Sequence, residues 1–252
     1  MDKITSRKNA YIAHLRALSA DGTYRREKGE FVCDGLKLLG EAAASGAEIV
    51  SVLWKEGGAT GEADCPRQFL APEDLFDYAS PMKNSPGPLF TVRCGAVAPG
   101  GPIRNAIVLE NVQDPGNVGT VLRTADAFSI GAVVLTGDCA DLYSPKTVRA
   151  TMGAIFRQRV LRLELAELPD WLRQNGLRLC GAALSETARD LREVDITHSA
   201  IAVGSEGRGL SRELLALCEG EIIIPMDPRS ESLNAAVAAS VLMWEMKRQS
   251  ES

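Results

Sequence analysis

The sequence predicts an α/β protein with two domains, the larger of which contains a parallel sheet covered by helices on both faces. The chain has 252 residues, of which 45% are hydrophobic, so it can bury a sizeable core. After residue 102, apolar β-branched runs alternate with helical patterns, as is typical of parallel strands joined by crossover helices. A stretch rich in proline and glycine at residues 80–102 separates this region from the residues before it.

The residues before that break predict a small α/β module. A helical pattern near residues 5–20 precedes, in order, a strand at FVCDG, a helix at LKLLGEAAASG, a strand at EIVSVLW and a helix at APEDLFDYA. We therefore expect a first domain at residues 1–95, a linker at about 80–102 and a second domain at 103–252.

The second domain is predicted from strands and helices in alternation. Strands are expected at NAIVLE, GAVVL, RLCGAAL, AIAVGSE and EIIIPM, and helices at VGTVLRTADAF, SPKTVRATMGAIF, LSRELLALC and LNAAVAASVLMWEMKRQ. The last helix is apolar on every face from Asn234 to Met243, so it must be buried on several sides. It either threads into the protein or packs against a second subunit.

The composition argues against several classes of protein. No run of about 18 apolar residues occurs and the N-terminus is charged, so we expect neither a membrane span nor a secretory signal, and a cytoplasmic location. The six cysteines are too widely spaced for a metal pair or a disulfide framework, which indicates reduced thiols. The net charge of −5 argues against indiscriminate binding to polyanions. Residues 1–30 nevertheless hold seven basic side chains against four acidic ones, which fits either an RNA contact or a solvated amphipathic helix.

The first candidate motif, NVQDPGNVGTVLRTADAF, follows the strand NAIVLE. The Pro-Gly pair at 115–116 predicts a tight turn, and Asn117 is expected to cap the next helix through its side-chain oxygen. An apolar stripe over residues 118–125 faces a core, and Arg123 lies off that stripe. Arg123 is either a solvated helix charge or a site residue, because open α/β sheets bind ligands where a parallel strand leads into a helix.

The second candidate motif, AIAVGSEGRGLSREL, places three glycines after an apolar strand. Its GxxGxG order is the reverse of the GxGxxG dinucleotide fingerprint, which disfavours a nucleotide-dependent oxidoreductase. Glycines let a backbone approach a ligand closely. Glu206, between the glycines, is either a site residue or a solvated turn residue, and Ser211 is expected to cap the following helix.

The third candidate motif, EIIIPMDPRSESLNAAVAAS, again leads from a buried strand through a loop into a helix. Ser232 and Asn234 offer a hydroxyl and an amide beside the helix start. Ile224, Met226 and Leu233 offer apolar surface for a flat or aliphatic ligand. Three corners of this kind, each with one polar side chain, predict a single convergent pocket.

The predicted pocket is suited to positioning reactants and to stabilising charge. The two histidines, His14 and His198, are isolated in the sequence, no metal-binding motif occurs, and no cysteine neighbours a candidate base. We therefore expect no metal. Side chains such as Arg123 and Glu206, together with backbone amides, suit the orientation of reactants better than redox chemistry or hydrolysis.

In this order, the three motifs resemble those of the SpoU/TrmH family of RNA ribose 2′-O-methyltransferases within the SPOUT superfamily. QDPGNVGTVLRTADAF, AVGSEGRGLS and IPMDPRSESLNAAVA are similar to the first, second and third family motifs, and ADLYSPKTVRATMGAIF is similar to the stretch between the first two. REKGEFVCDGLKLL resembles the family's L30e-like substrate-binding module. One departure is Pro228, which stands where the third motif loop usually has a glycine and which removes a backbone N–H.

The resemblance implies a deep C-terminal trefoil knot, a homodimer with its active site near the interface, and S-adenosylmethionine bound in a bent form by the second and third motif loops. The implied cofactor contacts are Gly204, Ser205, Gly209, Ile224, Met226 and Leu233. The implied catalytic positions are Asn117, Arg123, Glu206, Ser232 and Asn234.

The expected function is therefore methylation of a ribose 2′-hydroxyl in structured RNA, most of all 23S ribosomal RNA, with S-adenosylmethionine as the donor. The alternatives are a transfer RNA 2′-O-methyltransferase and a non-catalytic RNA-binding protein of the same fold. Because a guanidinium stays protonated, we expect Arg123 to orient the 2′-hydroxyl and its phosphate rather than to act as a base. The basic residues of 3–28 are expected on the RNA-contacting face of the first domain.

Overall fold

The computed structural model of the protein describes residues 1–58, 61, 63–95, 101–227, 229 and 232–251. Two compact units are present: the first contains Met1–Val97 and Asp141–Arg157, and the second contains Ala98–Ala140 and Gln158–Ser252. Pro228, the departure in the third motif, lies outside the described residues. None of the described helices is long and apolar enough to cross a membrane.

The elements are numbered along the chain. The helices are α1 (Ala10–Ala20), α2 (Gly22–Lys28), α3 (Leu36–Ala44), α4 (Glu73–Ala79), α5 (Pro115–Ala127), α6 (Pro145–Ala150), α7 (Leu168–Asn175), α8 (Arg212–Leu215) and α9 (Ala235–Ser250). The strands are β1 (Asp2–Lys3), β2 (Glu30–Asp34), β3 (Ile49–Lys55), β4 (Gln68–Ala71), β5 (Leu89–Arg93), β6 (Ala106–Glu110), β7 (Ala132–Thr136), β8 (Val160–Arg162), β9 (Arg178–Ala182), β10 (Arg189–Asp190), β11 (Ser199–Val203) and β12 (Gly220–Ile223). Short 3₁₀ helices occur at Ala154–Phe156, Leu165–Glu167 and Leu191–Glu193.

The first unit is built on a mixed sheet in the order β1-β4-β3-β5-β2. Strand β5 runs antiparallel to both β2 and β3, whereas β4 runs parallel to β1 and β3. Successive side chains of β2 alternate between faces, as the period of two in a strand requires. Phe31 and Cys33 pack with α3, and Val32 packs with α1 and α4.

Residues 141–157 complete the core of the first unit. Val148 on α6 and the 3₁₀-helix side chains Ile155 and Phe156 are buried in the same cluster as Phe31. The sequence had placed this segment in the second domain because of its position in the chain. It belongs by packing to the first unit, since its apolar side chains are buried there against β2 and α3.

Strand β5 lies within residues 80–102, which the sequence assigned to a linker. Because β5 pairs with strands on both sides, it is an internal strand of the sheet, and the expectation of a linker from residue 80 is wrong. The prolines and glycine at 86–88 belong to the turn that precedes β5. The proline and glycine content predicted the turn, but it gave no indication of the strand that follows.

Arg25, one of the basic residues expected to contact RNA, is buried in the first unit. Arg25 is only 5% exposed. Its guanidinium donates to Asp141 Oδ2 at 2.6 Å and to the Leu18 carbonyl at 2.5 Å. Lys3 is also engaged, in an ion pair with Glu56 at 2.5 Å. The expectation of one shared RNA-contacting face is therefore wrong for Arg25, because its donors bind groups inside the protein.

The second unit confirms the predicted parallel sheet. Its order is β10-β12-β9-β11-β6-β7-β8, and every pairing is parallel. Helices α7 and α8 bury Leu168, Leu172 and Leu214 against one face. Helices α5 and α9 contact each other, with α5 against β7 and α9 against β11.

Helix α9 has no charged residue before Glu245, but only part of this apolar stretch is covered. Ala239, Leu242 and Met243 are fully buried, whereas Val241 and Trp244 are exposed, the tryptophan by 57%. Within this chain, therefore, a strip of the helix remains open to solvent.

Candidate active site

Three loops leave the carboxyl ends of parallel strands in the second unit and lead into helices. Loop 1 (residues 111–114) joins β6 to α5, loop 2 (204–211) joins β11 to α8, and loop 3 (224–234) joins β12 to α9. Because the strands are parallel, their carboxyl ends lie along one edge of the sheet, where open α/β sheets bind ligands.

Asp114, rather than Asn117, caps α5. Asp114 Oδ1 accepts a hydrogen bond from the Asn117 backbone nitrogen at 2.8 Å, and Pro115 begins the helix instead of forming a turn. Proline suits the first helical position because its φ is preset and its missing N–H would have had no partner there. The expected capping role of Asn117 is therefore wrong, and its side chain is left for contacts outside α5. The apolar stripe over residues 118–125 is confirmed as buried.

The Asn117 amide joins loops 2 and 3. Its Nδ2 donates to Glu206 Oε1 at 2.9 Å, and its Oδ1 accepts from Asn234 Nδ2 at 3.0 Å. Asn234 Nδ2 also donates to Glu206 Oε1, and the Ala235 backbone nitrogen lies 3.4 Å from that oxygen. Asn234 Oδ1 also caps α9. One polar side chain from each of the three motifs thus meets at a single carboxylate, and we call this group the Asn-Glu-Asn network.

Loop 2 folds back on itself through its glycines. The Gly209 nitrogen donates to the Ser205 carbonyl at 2.8 Å, and Gly209 has a φ of 65°, in the left-handed region that favours glycine. A Cβ at Gly204 would overlap the Gly209 carbonyl group and lie 2.5 Å from the Leu210 nitrogen. Glycine at 204 is therefore required by the close approach of two backbone segments.

A cavity of about 520 Å³ lies between loops 2 and 3, and its volume falls in the range of roughly 300–1,000 Å³ that is usual for small-molecule sites. Every residue expected to contact a cofactor lines it: Gly204, Ser205, Gly209, Ile224, Met226 and Leu233. Glu206 and Ser232 line it too. Asn117 and Asn234 lie beside it, where they hold Glu206 through the Asn-Glu-Asn network.

Unlike the other expected site residues, Arg123 neither lines the cavity nor belongs to the Asn-Glu-Asn network. Its side chain is exposed on α5, does not line the cavity, and makes no hydrogen bond within the part of the chain that the structure describes. The guanidinium is thus available to a group brought from outside this unit.

The structure offers no activated thiol. Burial raises the pKa of all six cysteine thiols, to about 12 at Cys218, so they are protonated at neutral pH. No group of three or more His, Cys, Asp or Glu side chains among the described residues is arranged to hold a metal ion.

Residues 104–244 match the model of the SpoU rRNA Methylase family. The chain belongs to this family. An uncharacterized tRNA/rRNA methyltransferase from Synechocystis is 32% identical over 98% of this chain and 93% of its own length. The 23S rRNA (guanosine(2553)-2′-O)-methyltransferase RlmP of Bacillus subtilis is 31% identical over 98% of this chain and its whole length. The crystal structure of the SpoU methyltransferase AviRb from Streptomyces viridochromogenes with its cofactor AdoMet has a TM-score of 0.88 and 25% identity, and the match covers 97% of this chain and 99% of that one.

One residue at this SpoU site was missed by sequence reasoning. Glu110, the last residue of β6, is only 4% exposed, and its carboxylate accepts from the Ser211 nitrogen at 2.7 Å and from the Ser211 hydroxyl at 2.6 Å. Ser211 also caps α8, as predicted. Glu110 therefore fixes the end of loop 2 to β6. An acidic residue at the end of the apolar run NAIVLE was the available signal.

Proposed function

We propose that this SpoU-family methyltransferase transfers the methyl group of S-adenosylmethionine to a ribose 2′-hydroxyl in 23S ribosomal RNA, in the cytoplasm. The observation that carries the proposal is the meeting of one polar side chain from each of the three motifs in the Asn-Glu-Asn network, beside a glycine-lined cavity. Full-length similarity to RlmP, whose name gives this reaction, supports the choice of substrate.

The cavity suits the cofactor in size and in chemistry. Ile224, Met226 and Leu233 offer apolar surface to flat or aliphatic groups, and Ser205 and Ser232 offer hydroxyls to polar ones. Gly204, Gly207 and Gly209 of loop 2 also line the cavity, and glycine lets a backbone approach a ligand closely. When bound, S-adenosylmethionine supplies an electrophilic methyl group to an in-line displacement.

Arg123 is proposed to bind the 2′-hydroxyl oxygen and the adjacent phosphate. A guanidinium presents a planar fork of donors and stays protonated, so it can orient a nucleophilic oxygen and stabilise the negative charge that develops on it. Its exposure leaves it open to an incoming RNA strand.

Glu206 is proposed to order the loops that hold the cofactor. Glu206→Gln keeps the shape of the side chain but removes the charge to which Asn117 and Asn234 donate. Because hydrogen bonds to charged groups contribute about 1.5–3 kcal/mol each, we expect at least a tenfold weaker affinity for S-adenosylmethionine by isothermal titration calorimetry. Unchanged affinity and rate would remove Glu206 from the site.

We propose that two chains associate through the exposed strip of α9 and the neighbouring part of α5. Val237, Val241 and Trp244 are exposed there, and the Phe128 ring lies edge-on to Trp244 at 5.6 Å. A cluster of large exposed apolar side chains indicates an interaction surface. Asn117 and Asn234 border the same groove, which supports an active site close to the dimer interface. The trefoil knot implied by the family resemblance stays a prediction.

The first unit is proposed to bind RNA through Arg7 and Arg16. Their guanidinium carbons lie 4.6 Å and 4.0 Å from the centre of the Tyr78 ring, and Arg16 also donates to the Tyr78 carbonyl at 2.9 Å. Both arginines are exposed, so the Tyr78 ring positions two cations where they can contact phosphate oxygens.

The proposed function is tested by mapping the product. Purified protein is incubated with labelled S-adenosylmethionine and with either 23S ribosomal RNA or transfer RNA from a strain lacking the gene. We expect a single 2′-O-methylated nucleotide in 23S ribosomal RNA. Methylation of transfer RNA alone would favour the transfer RNA alternative, and cofactor binding without transfer to either RNA would favour the non-catalytic one.

A further inference from the structure

A second cavity, of about 250 Å³, lies wholly in the first unit and is distinct from the methyl-transfer site. It is bounded by the end of β2, the turn at residues 80–86 and the first turns of α6. Its volume is below the roughly 300–1,000 Å³ of sites that hold whole cofactors, so it fits a group of about one ring system.

The lining of this cavity is graded from apolar to charged. Val148, which is only 1% exposed, and Leu38, which packs against the same hydrophobic cluster, supply apolar lining, whereas Lys83 and Arg149 are exposed. Arg149 Nη1 lies 3.6 Å from Met82 Sδ, and neither cation forms an ion pair with any residue in the described part of the chain. A flat apolar group would contact Leu38 and Val148, and an attached anion would face the cations.

Asp34 supplies a hydrogen-bond acceptor to the cavity. Its Oδ1 accepts from the Ser85 hydroxyl at 2.5 Å and its Oδ2 lies 3.2 Å from the Ser80 hydroxyl. A carboxylate has about four lone-pair positions, so these bonds leave acceptor capacity unused. Burial raises the pKa of Asp34, and the hydrogen bonds from Ser85 and Ser80, followed by the charge of Arg149, oppose that shift. The two serine contacts anchor the turn at residues 80–86, but anchoring alone explains neither the cavity nor the cations beside it.

We propose that this cavity binds one unpaired guanosine of the RNA substrate, with Asp34 accepting from the base and Lys83 and Arg149 contacting the flanking phosphates. Guanine is the base that presents two adjacent N–H donors on its Watson–Crick edge, and a carboxylate can accept both. Proteins read RNA sequence chiefly at unstacked bases of this kind. The inference rests on the proposed function only in taking RNA as the substrate.

The test measures binding of fluorescein-labelled hexamers to the full-length protein by anisotropy. The hexamers are UUGUUU, UUIUUU with inosine, and UUUUUU. A well-placed bidentate contact discriminates by about 1–3 kcal/mol, so we expect UUGUUU to bind at least fivefold tighter than UUUUUU, with the inosine hexamer between them. Equal binding of the three hexamers would overturn the proposal.

Asp34→Asn separates base recognition from general electrostatics. Loss of a negative charge near RNA should strengthen binding to a polyanion, whereas replacement of one accepting oxygen by an NH2 donor should weaken binding to UUGUUU and remove the preference for guanosine. We expect the second result, with affinity for S-adenosylmethionine unchanged. A retained preference would refute the role of Asp34.

If Asp34→Asn does not fold, Arg149→Gln provides a second test of the proposal. Each phosphate contact to a single strand contributes about 0.7 to the slope of log K against log salt, so the variant should lower that slope by about this amount for every hexamer. Arg173→Gln removes an equally exposed cation that is paired with Asp170 in the second unit, and it should leave the slope unchanged. An unchanged slope for Arg149→Gln would remove it from the RNA contact.

Two further outcomes distinguish this proposal from its alternatives. If free GMP displaced UUGUUU at the concentration at which the hexamer itself binds, the cavity would be a nucleotide site and not a reader of RNA. If 23S ribosomal RNA were methylated normally by Asp34→Asn and Arg149→Gln, the guanosine site would be refuted and the proposed function would stand.

Discussion

Replacement of Gly204 by alanine tests the architecture of the cofactor loop. The added Cβ would overlap the Gly209 carbonyl group and lie 2.5 Å from the Leu210 nitrogen. These neighbours are backbone atoms, so no flexible side chain can move to relieve the overlap. One side of loop 2 has to shift, and Ser205, Gly209 and Leu210 all line the cavity that we propose to bind the cofactor.

The size of the effect follows from the cost of overpacking. An added methyl group in a closely packed region costs about 1–3 kcal/mol, and each 1.4 kcal/mol is a factor of ten in affinity. If the binding-competent loop bears this cost, Gly204→Ala should weaken binding of S-adenosylmethionine by about ten- to a hundredfold, measured by isothermal titration calorimetry.

Gly207→Ala is the matched control in the same loop. A Cβ at Gly207 meets no atom within 4 Å, and this glycine is not in the left-handed region. Its affinity for S-adenosylmethionine should stay within about threefold of the unsubstituted protein. Binding by Gly204→Ala within twofold of that protein, with Gly207→Ala equally active, would show that the close approach at Gly204 does not shape the cofactor site.

Three further substitutions test other parts of the site. Arg123→Lys should lower kcat by at least tenfold while cofactor affinity is unchanged, because an ammonium cannot bind two oxygens in the guanidinium geometry; near-normal turnover with unchanged RNA affinity would contradict this. Glu110→Gln leaves one oxygen to accept from the two Ser211 donors, and the lost buried bond of about 1–3 kcal/mol should raise the dissociation constant of S-adenosylmethionine with little change in saturated rate. Trp244→Asp should convert a dimer to a monomer in light scattering, whereas Leu217→Asp, at another exposed apolar position, should not; a dimer that survives Trp244→Asp would place the interface elsewhere.

The first unit cannot be removed cleanly to test RNA binding. Deletion of residues 1–95 would uncover Val148, Ile155 and Phe156, which are buried against that part of the chain. A truncated protein could lose activity through exposed apolar surface alone. Point variants at Arg7 and Arg16 keep this core intact and are the better test, with a lowered salt dependence of RNA binding as the expected result.

Local signals in the sequence identified most elements of the second unit. Alternating apolar runs marked β6, β7, β9, β11 and β12, because a buried parallel strand must be apolar on both faces. Ser211 was identified as a cap because a cap bonds to backbone groups only two or three residues away. The same local rule failed at Asn117, where Asp114 was an equally suitable cap three residues earlier.

Elements that depend on contacts with distant residues could not be predicted from the sequence. Strand β5 is short and lies among prolines and glycines, and only its pairing with β2 and β3 makes it an internal strand. From the sequence, Arg25 is typical of a solvated helix residue. Its burial depends on its ion pair with Asp141, which lies 116 residues away in the chain. The assignment of residues 141–157 to the first unit likewise depends on packing against β2.

The sequence by itself determined the family, the strand-loop-helix corners and the residues that line the cavity between loops 2 and 3, because these follow from short motifs and local periodicity. The tertiary structure decided that Asn117 reaches Glu206 across 89 residues and Asn234 across 117, and that Glu110 holds the end of loop 2. A hydrogen bond between distant residues leaves no periodic trace in the chain. It is fixed only when parallel strands bring their carboxyl ends to the same edge of a sheet.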